Sequence, residues 1–236
     1  MNIILFSSDE IAANGRLRLS GRRLHHVRDV LGAREGDELA VGLIGGRMGR
    51  GRITHLADEA LEMDVLLDRD PPAALPVTVL LALPRPKVLR RVLYSLTVMG
   101  AKRIILLNTA RVEKSYWQSP FLEPEAVRRQ LVLGLEQARD TMLPEVALKP
   151  RFKPFVEDEL PAIMQGTLSL VAHPAADMPC PPAVHGPLTL AVGPEGGFVP
   201  YEVDLLVSRG FRAVRFGERA LNVESAVPSL IGRLLY

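Results

Sequence analysis

The sequence predicts an α/β protein with a mostly parallel sheet, carried behind a small β-rich module. Three observations predict it. Beyond residue 76, short apolar runs alternate with segments of helical period, the pattern of strands joined by crossover helices. Before residue 70, several short strand-like stretches are separated by turn residues, which suits a small barrel. Between the two stands Asp70-Pro-Pro-Ala-Ala-Leu-Pro, whose prolines favour an extended, stiff connection. The expected domains are residues 1–70 and 71–236.

In the first module, Arg16-Leu-Arg-Leu alternates polar and apolar as a half-buried strand does. Leu24, Val27 and Leu31 recur at helical spacing, leaving Arg22, Arg23 and Arg28 on the outer side. Gly36-Asp37 is a turn signal. Residues 38–44 and 47–54 can pair as a hairpin across Gly45-Gly46, and residues 60–67 form another strand. His25 and His26 are not metal-like, because neighbouring helical residues face different ways and no third ligand stands at useful spacing.

In the second domain, residues 77–83 are continuously apolar, as a buried parallel strand should be. Leu89, Val92, Leu93 and Leu96 define an amphipathic helix closed by Gly100. Residues 103–107 are the next strand, followed by a long loop with Arg111, Lys114, Tyr116 and Trp117. A helix over about 124–139, a short strand near Val146 and a helix near 156–164 come next. Residues 167–172 are a strand ending at His173-Pro174, and a proline-rich loop leads to the strand at Leu188. Pro200 suits the first position of a helix over 201–209, with Gly210 after it. Residues 214–216 are a short strand. The last helix puts Ala226, Val227, Leu230, Ile231 and Leu234 on one face. With Ser225 as its cap, Pro228 falls in the first turn, where no hydrogen bond is lost.

Composition bounds the function classes. Of 236 residues, 47% are hydrophobic and 24% charged, as in an ordinary globular protein, and the net charge is only +2. The charge is unevenly spread. Residues 11–56 carry nine arginines and four acids, while the next fourteen residues are acidic. Clustered arginines suit phosphate contact through their bidentate fork; a solvated arginine-rich surface reads equally well. Cys180 is the sole cysteine, which excludes an internal disulfide and fits a reducing compartment. No signal-peptide pattern and no stretch long enough to span a membrane is present, so cytoplasm is the expected location.

The chemistry concentrates in two stretches. Leu188-Thr-Leu-Ala-Val-Gly-Pro-Glu-Gly-Gly-Phe runs a strand into a rigid loop. Gly193, Gly196 and Gly197 lack a Cβ and let backbone approach a ligand closely. The loop is neither a phosphate-binding loop, since no Gly-Lys-Ser/Thr follows, nor a dinucleotide fingerprint. The second stretch, Phe216-Gly-Glu-Arg-Ala-Leu-Asn-Val-Glu-Ser-Ala, is also polar and lies between a strand and a helix. Read as halves of one site, they hold a weakly charged nucleoside ligand through backbone groups.

Gly193-Pro-Glu-Gly-Gly-Phe followed by Arg219-Ala-Leu-Asn-Val-Glu-Ser-Ala resembles the paired signature of the SPOUT-class methyltransferases that make N3-methyluridine in 16S ribosomal RNA. Further matches are Glu136-Gln137 before Leu143-Pro144, the His-His-x-x-x-Val-Leu pattern from His25 to Leu31, and Gly36-Asp37. The resemblance covers nearly the whole chain. It implies an N-terminal PUA-like RNA-binding barrel, a C-terminal domain with a deep trefoil knot holding S-adenosylmethionine without a metal, and an obligate homodimer. Two positions depart from the family. Its second arginine in Arg-x-Leu-Arg is Asn222 here, and its Glu-Gln-Ser-Gly-Arg is Glu136-Gln-Ala-Arg-Asp, which moves the arginine to Arg139 and puts Asp140 in its place.

On this resemblance the chain is expected to methylate uridine N3 in 16S rRNA of the small ribosomal subunit. Gly193, Pro194, Glu195, Gly196 and Gly197 are assigned to the cofactor, with Leu221, Asn222 and Val223 closing over it and His173 at the pocket edge. Arg139 and Arg219 are candidates to favour the uracil anion, and Glu224 to orient one of them. Arg16, Arg22, Arg23 and Arg28 are expected to grip phosphates. Two alternatives stand: an RNA-binding ribosome assembly factor without chemistry, suggested by Asn222 and Asp140, and a transfer RNA methyltransferase of the same fold.

Overall fold

The computed structural model describes residues 1–12 and 15–236. The chain divides into two compact units, one of Met1–Ala73 with Leu135–Leu143, the other of Ala74–Gly134 with Pro144–Tyr236. The joint thus lies within the expected proline stretch. The segment Leu135–Leu143, placed by the sequence with the second domain, groups with the first.

The first unit is a five-stranded sheet in the order β1-β3-β4-β5-β2. Its strands are β1 (Ile4–Phe6), β2 (Leu17–Leu19), β3 (Glu38–Leu43), β4 (Met48–Leu56) and β5 (Leu61–Arg69). β1 pairs with β3 in parallel, and the other pairs are antiparallel. The expected hairpin is β3 and β4, and Arg50 and Arg52 lie on its exposed side while Gly51 and Ile53 face inward. Helix α1 (Gly21–His25) continues as a wider π-type turn over His26–Val30. Leu24 and Val27 enter the core with residues of all five strands, among them Phe6, Leu17, Val41, Ile53 and Leu61. Leu31, expected on that buried face, is instead 48% exposed. The π-type turn adds a residue per turn and rotates the helical period away from it.

Arg23 is not the outward-facing cation the helical spacing suggests. Its guanidinium pairs with both carboxylate oxygens of Glu10 and donates to the Leu5 carbonyl at 2.8 Å. Burial pushes the Glu10 carboxyl up, but the hydrogen bonds from Arg23 and Ser7 outweigh it, and the group rests below its ordinary value. A depressed carboxyl contributes stability that is present above its unfolded pKa and is lost as pH falls through the folded one. Arg23→Gln is therefore expected to flatten the loss of urea stability of this unit between about pH 5 and pH 3. Parallel stability curves for the variant and the parent would exclude this pair as the source.

The second unit contains β6 (Leu75–Ala82), α2 (Pro86–Val98), β7 (Ala101–Leu107), α3 (Pro124–Ala138, its last turn in the first unit) and β8 (Glu145–Lys149). Then follow α4 (Phe152–Pro154), a π-type turn, α5 (Leu160–Met164), β9 (Leu168–Ala172), β10 (Leu188–Val192), α6 (Pro200–Ser208), β11 (Arg212–Val214) and α7 (Val223–Leu235). All six strands run parallel, in the order β11-β9-β10-β6-β7-β8. β10 is buried throughout and lies between β6 and β9. Its apolar run is what a strand covered on both faces requires. No helix among the described residues is long and apolar enough to cross a membrane.

Two boundary shifts bear on the second loop. β11 ends at Val214 rather than beginning there: Arg215 makes an isolated bridge to Pro179, and Phe216 belongs to the loop that follows. α7 is capped by Asn222, not Ser225: Asn222 Oδ1 accepts from the Ser225 N–H at 2.8 Å. Asparagine is among the best N-caps, and starting there brings Val223 into the core. Pro228 consequently lies inside the helix rather than in its first turn, so the Glu224 carbonyl loses its helical donor.

Candidate active site

The cleft of the second unit forms where parallel strands end. The carboxyl ends of β9 and β10 lie side by side, the usual position for a ligand in an open α/β sheet. After Val192 the chain doubles back. A Cβ on Gly193 would stand 2.9 Å from the Phe198 nitrogen and 3.2 Å from Gly197 Cα. The Gly197 N–H donates to the Pro194 carbonyl at 2.7 Å, and Gly197 takes φ 72°, where a side chain is strained. The second loop leaves β11 and enters α7. Both loops line one cleft of about 360 Å³. One wall is the run from Gly193 to Phe198; the opposite wall is Phe216, Gly217, Arg219, Ala220 and Leu221. Val223, Ala226 and Leu230 of α7 contribute apolar surface, and Ala172 to Ala175 form the edge.

Polar contacts fix this wall. The Glu195 carboxylate accepts from the Arg85 N–H at the start of α2, at 2.9 Å. Arg111, from the loop after β7, lines the cleft and donates to the Gly196 carbonyl. The buried Glu202 accepts from the Ala110 N–H at 2.7 Å and the Val199 N–H at 2.9 Å, which ties the Arg111 loop to the end of the glycine loop. His173 Nδ1 accepts from the Ala175 N–H at 3.3 Å; a neutral ring bonded in this way carries its proton on Nε2.

The structure therefore brings together His173, Gly193, Pro194, Glu195, Gly196, Gly197, Leu221, Val223 and Arg219 around one space. Arg219 has no ion-pair partner among the described residues. Three expected members are elsewhere. Asn222 spends its side chain on the α7 cap. Glu224, expected to orient Arg139 or Arg219, pairs instead with Arg91 at 3.0 Å, since one step along the helix turns it away from the cleft-lining Val223. Arg139 lies in the first unit at the end of α3, exposed, at φ 56°. The neighbouring Asp140 is buried, and its Oδ1 accepts from the Met142 N–H at 2.9 Å, a turn-forming role. Arg111 carries no sequence signal for its place in the wall, because its partner is 85 residues away. Phe216 and Ala220 also line the cleft, and nothing in the second loop's sequence singles them out.

The four arginines expected to grip phosphates each hold an acid of their own unit. Arg16 meets Asp64 at 3.0 Å, Arg22 meets the buried Glu136 at 2.6 Å, Arg23 meets Glu10, and Arg28 meets Asp29 and Asp58 at 2.6 and 3.3 Å. A phosphate at these positions competes with a carboxylate already in place. Among the described residues no group of three or more His, Cys, Asp or Glu side chains could hold a metal ion.

The sequence profile of a family described as an RNA methyltransferase domain matches residues 71–235. The chain is 31% identical to ribosomal RNA small subunit methyltransferase E of Treponema pallidum, over 96% of this chain and 87% of that one. It is 28% identical to the protein of the same name from Synechocystis, over 88% and 69% of the two chains. Among solved structures, ribosomal RNA small subunit methyltransferase E of Neisseria gonorrhoeae bound to S-adenosyl methionine shares the fold at a TM-score of 0.73, with 19% identity over 98% of this chain and 95% of that one. With the profile covering well over half the chain and a curated relative matched along most of its length, the chain belongs to the RNA methyltransferase family of the ribosomal RNA small subunit methyltransferase E proteins.

Proposed function

We propose that this chain is an S-adenosylmethionine-dependent methyltransferase acting on N3 of a uridine in 16S rRNA of the small ribosomal subunit. The observation that carries the reading is the convergence of the Gly193 and Arg219 loops on one cleft. The cleft fits the cofactor. Its volume is in the range of small-molecule sites, the tight fold of its glycine loop has no room for a Cβ at Gly193, and a Cβ at Gly197 would meet nothing within 4 Å. A cradle of backbone groups beside Leu221, Val223 and Leu230 suits an adenosine. The family relatives support the same activity, and the Neisseria gonorrhoeae protein of like fold is bound to this cofactor.

Bound there, S-adenosylmethionine supplies an electrophilic methyl group on a sulfonium. Gly193 to Gly197 hold and orient it, with Leu221 and Val223 closing from the other side and His173 at the edge. Uracil N3 is a weakly acidic imide whose proton would pass to solvent water at or before attack, and the guanidinium of Arg219, which lines the cleft, would favour the resulting anion. Alignment in the cleft would supply much of the remaining rate. The target base must leave its stack to be reached.

The same reading extends to the architecture. The insertion of β10 between β6 and β9 is compatible with a trefoil knot, and the shared core of five strands with a PUA-like barrel. RNA contact by Arg16, Arg22, Arg23 and Arg28, a homodimer and a cytoplasmic location complete it. Mass mapping of methylated uridines in 16S rRNA from cells with and without the gene tests the activity. One uridine methylation, absent without the gene and restored by the purified protein with S-adenosylmethionine, is expected. Identical maps, together with no heat of cofactor binding in calorimetry, would favour an assembly factor without chemistry.

A further inference from the structure

Residues 173–187 cross from β9 to β10, and residues 215–222 lead from β11 into α7. The first stretch begins at the edge of the glycine-loop cleft, and the second forms one wall of it. Their backbones are laced together. The His173 N–H donates to the Val214 carbonyl at 3.0 Å, the Arg215 N–H to the Met178 carbonyl at 2.8 Å, and the Cys180 N–H to the Arg215 carbonyl at 2.8 Å. The lacing stops at Arg215. Beyond it, among the described residues, no backbone hydrogen bond follows before Asn222. Every residue from Gly217 to Asn222 is exposed within its own chain, whereas Phe216 is half-buried. The attachment of this wall therefore falls on the Phe216 ring.

One side chain of α7 reaches both stretches. The Arg233 Nε–H is shared between the Cys180 and Pro181 carbonyls, at 3.2 and 3.1 Å. Its guanidinium lies over the Phe216 ring, 5.9 Å from the centroid. Cys180 is buried and its own N–H holds Arg215, so the carbonyls that Arg233 takes are fixed points. The contacts close a circuit: the Arg215 backbone to Cys180, Cys180 to Arg233, and Arg233 to the ring that follows Arg215. Arg233 stands off the face by which α7 buries Val227, Leu230, Ile231 and Leu234. Pinning the end of α7 needs only the two carbonyls. The position over the ring is the part that concerns the cleft.

We propose that Arg233 is a positioning residue for the cofactor, which holds the Phe216 ring as the fixed part of an otherwise loosely held wall. The proposal rests on the reading of this cleft as the S-adenosylmethionine site. A wall held in place before the ligand arrives removes part of the ordering cost of binding. The contribution runs through the ring. A cation over an aromatic face at an exposed position shifts an equilibrium by about two- to fivefold, so its loss appears in affinity and not in the fold.

Two substitutions in the full chain separate the two contacts. In Arg233→Gln the amide nitrogen stands where Nε stood and can still donate to the carbonyls, while the charge over the ring is gone. Calorimetry is expected to show S-adenosylmethionine binding weakened about two- to fivefold, with the Tm of the cofactor-free protein unchanged. Arg233→Ala loses both contacts and is expected to bind the cofactor about tenfold more weakly. In a Phe216→Leu background Arg233→Gln is expected to leave affinity where Phe216→Leu alone puts it, because residues that act through one contact are not additive. Parent-like affinity in Arg233→Gln would overturn the role. So would a full loss repeated in the Phe216→Leu background, which would make Arg233 a pin for the end of α7 and nothing more. A parent chain that binds no S-adenosylmethionine would overturn the cofactor reading together with the proposal.

Discussion

Gly193→Ala is expected to weaken S-adenosylmethionine binding by about 10- to 100-fold while the protein still folds. The added methyl has nowhere to go: it would meet the Phe198 nitrogen at 2.9 Å and the Gly197 backbone at 3.2 Å, and neither is the end of a flexible side chain. Relief requires the loop to open. Overpacking of this kind costs about 1–3 kcal/mol, and each 1.4 kcal/mol is about tenfold in affinity. The cost falls on the cradle because β10 itself is held on both sides by β6 and β9. Calorimetric titration with the cofactor, beside a thermal melt, separates the two effects. Parent-like affinity would mean that the ligand does not sit against this loop.

That loop is legible in the sequence because its chemistry is local. Five residues of strand character followed by Gly-Pro-Glu-Gly-Gly announce a strand ending in a tight turn, whatever surrounds it. The amphipathic α2 is legible for the same reason. What escapes depends on residues far apart in the chain. Nothing in the sequence order says that β10 slips between β6 and β9. The helical spacing of Arg22 and Arg23 suggests free cations, but Glu136 stands 114 residues from Arg22 and Glu10 lies in a stretch with no clear period. β1 leaves no pattern because three residues are too few to show alternation. At Asn222 two local signals compete: Ser225 is a good cap and keeps Pro228 in the first turn, but Asn222 is as good a cap and also buries Val223. The family departures at Asn222 and Asp140 thereby acquire structural roles, as a helix cap and a turn former, so they lend less weight to an inactive protein.

Glu202 is the position whose loss should cost most in stability. It is 3% exposed, and its two oxygens serve two different backbone donors. One is the Val199 N–H, the reach-back from the third position of α6 that closes a helix start. The other is the Ala110 N–H, the residue before Arg111, whose side chain in turn holds the Gly196 carbonyl. Glu202→Ala releases both N–H groups at once. Hydrogen bonds to a charged group contribute about 1.5–3 kcal/mol each, and water can partly replace the carboxylate at the more exposed Ala110, so a loss of about 2–4 kcal/mol is expected. For a chain of this size that lowers Tm by roughly 5–15 °C. Glu202→Gln keeps the volume and one acceptor oxygen, so about half the loss is expected. It still turns an amide N–H₂ towards one of the two donors, and the glycine loop or the Arg111 loop is freed accordingly. Cofactor affinity should therefore fall in the glutamine variant even at temperatures where it is fully folded. A glutamine variant with a lowered Tm and undiminished cofactor binding would show that Glu202 braces the domain without shaping the cleft.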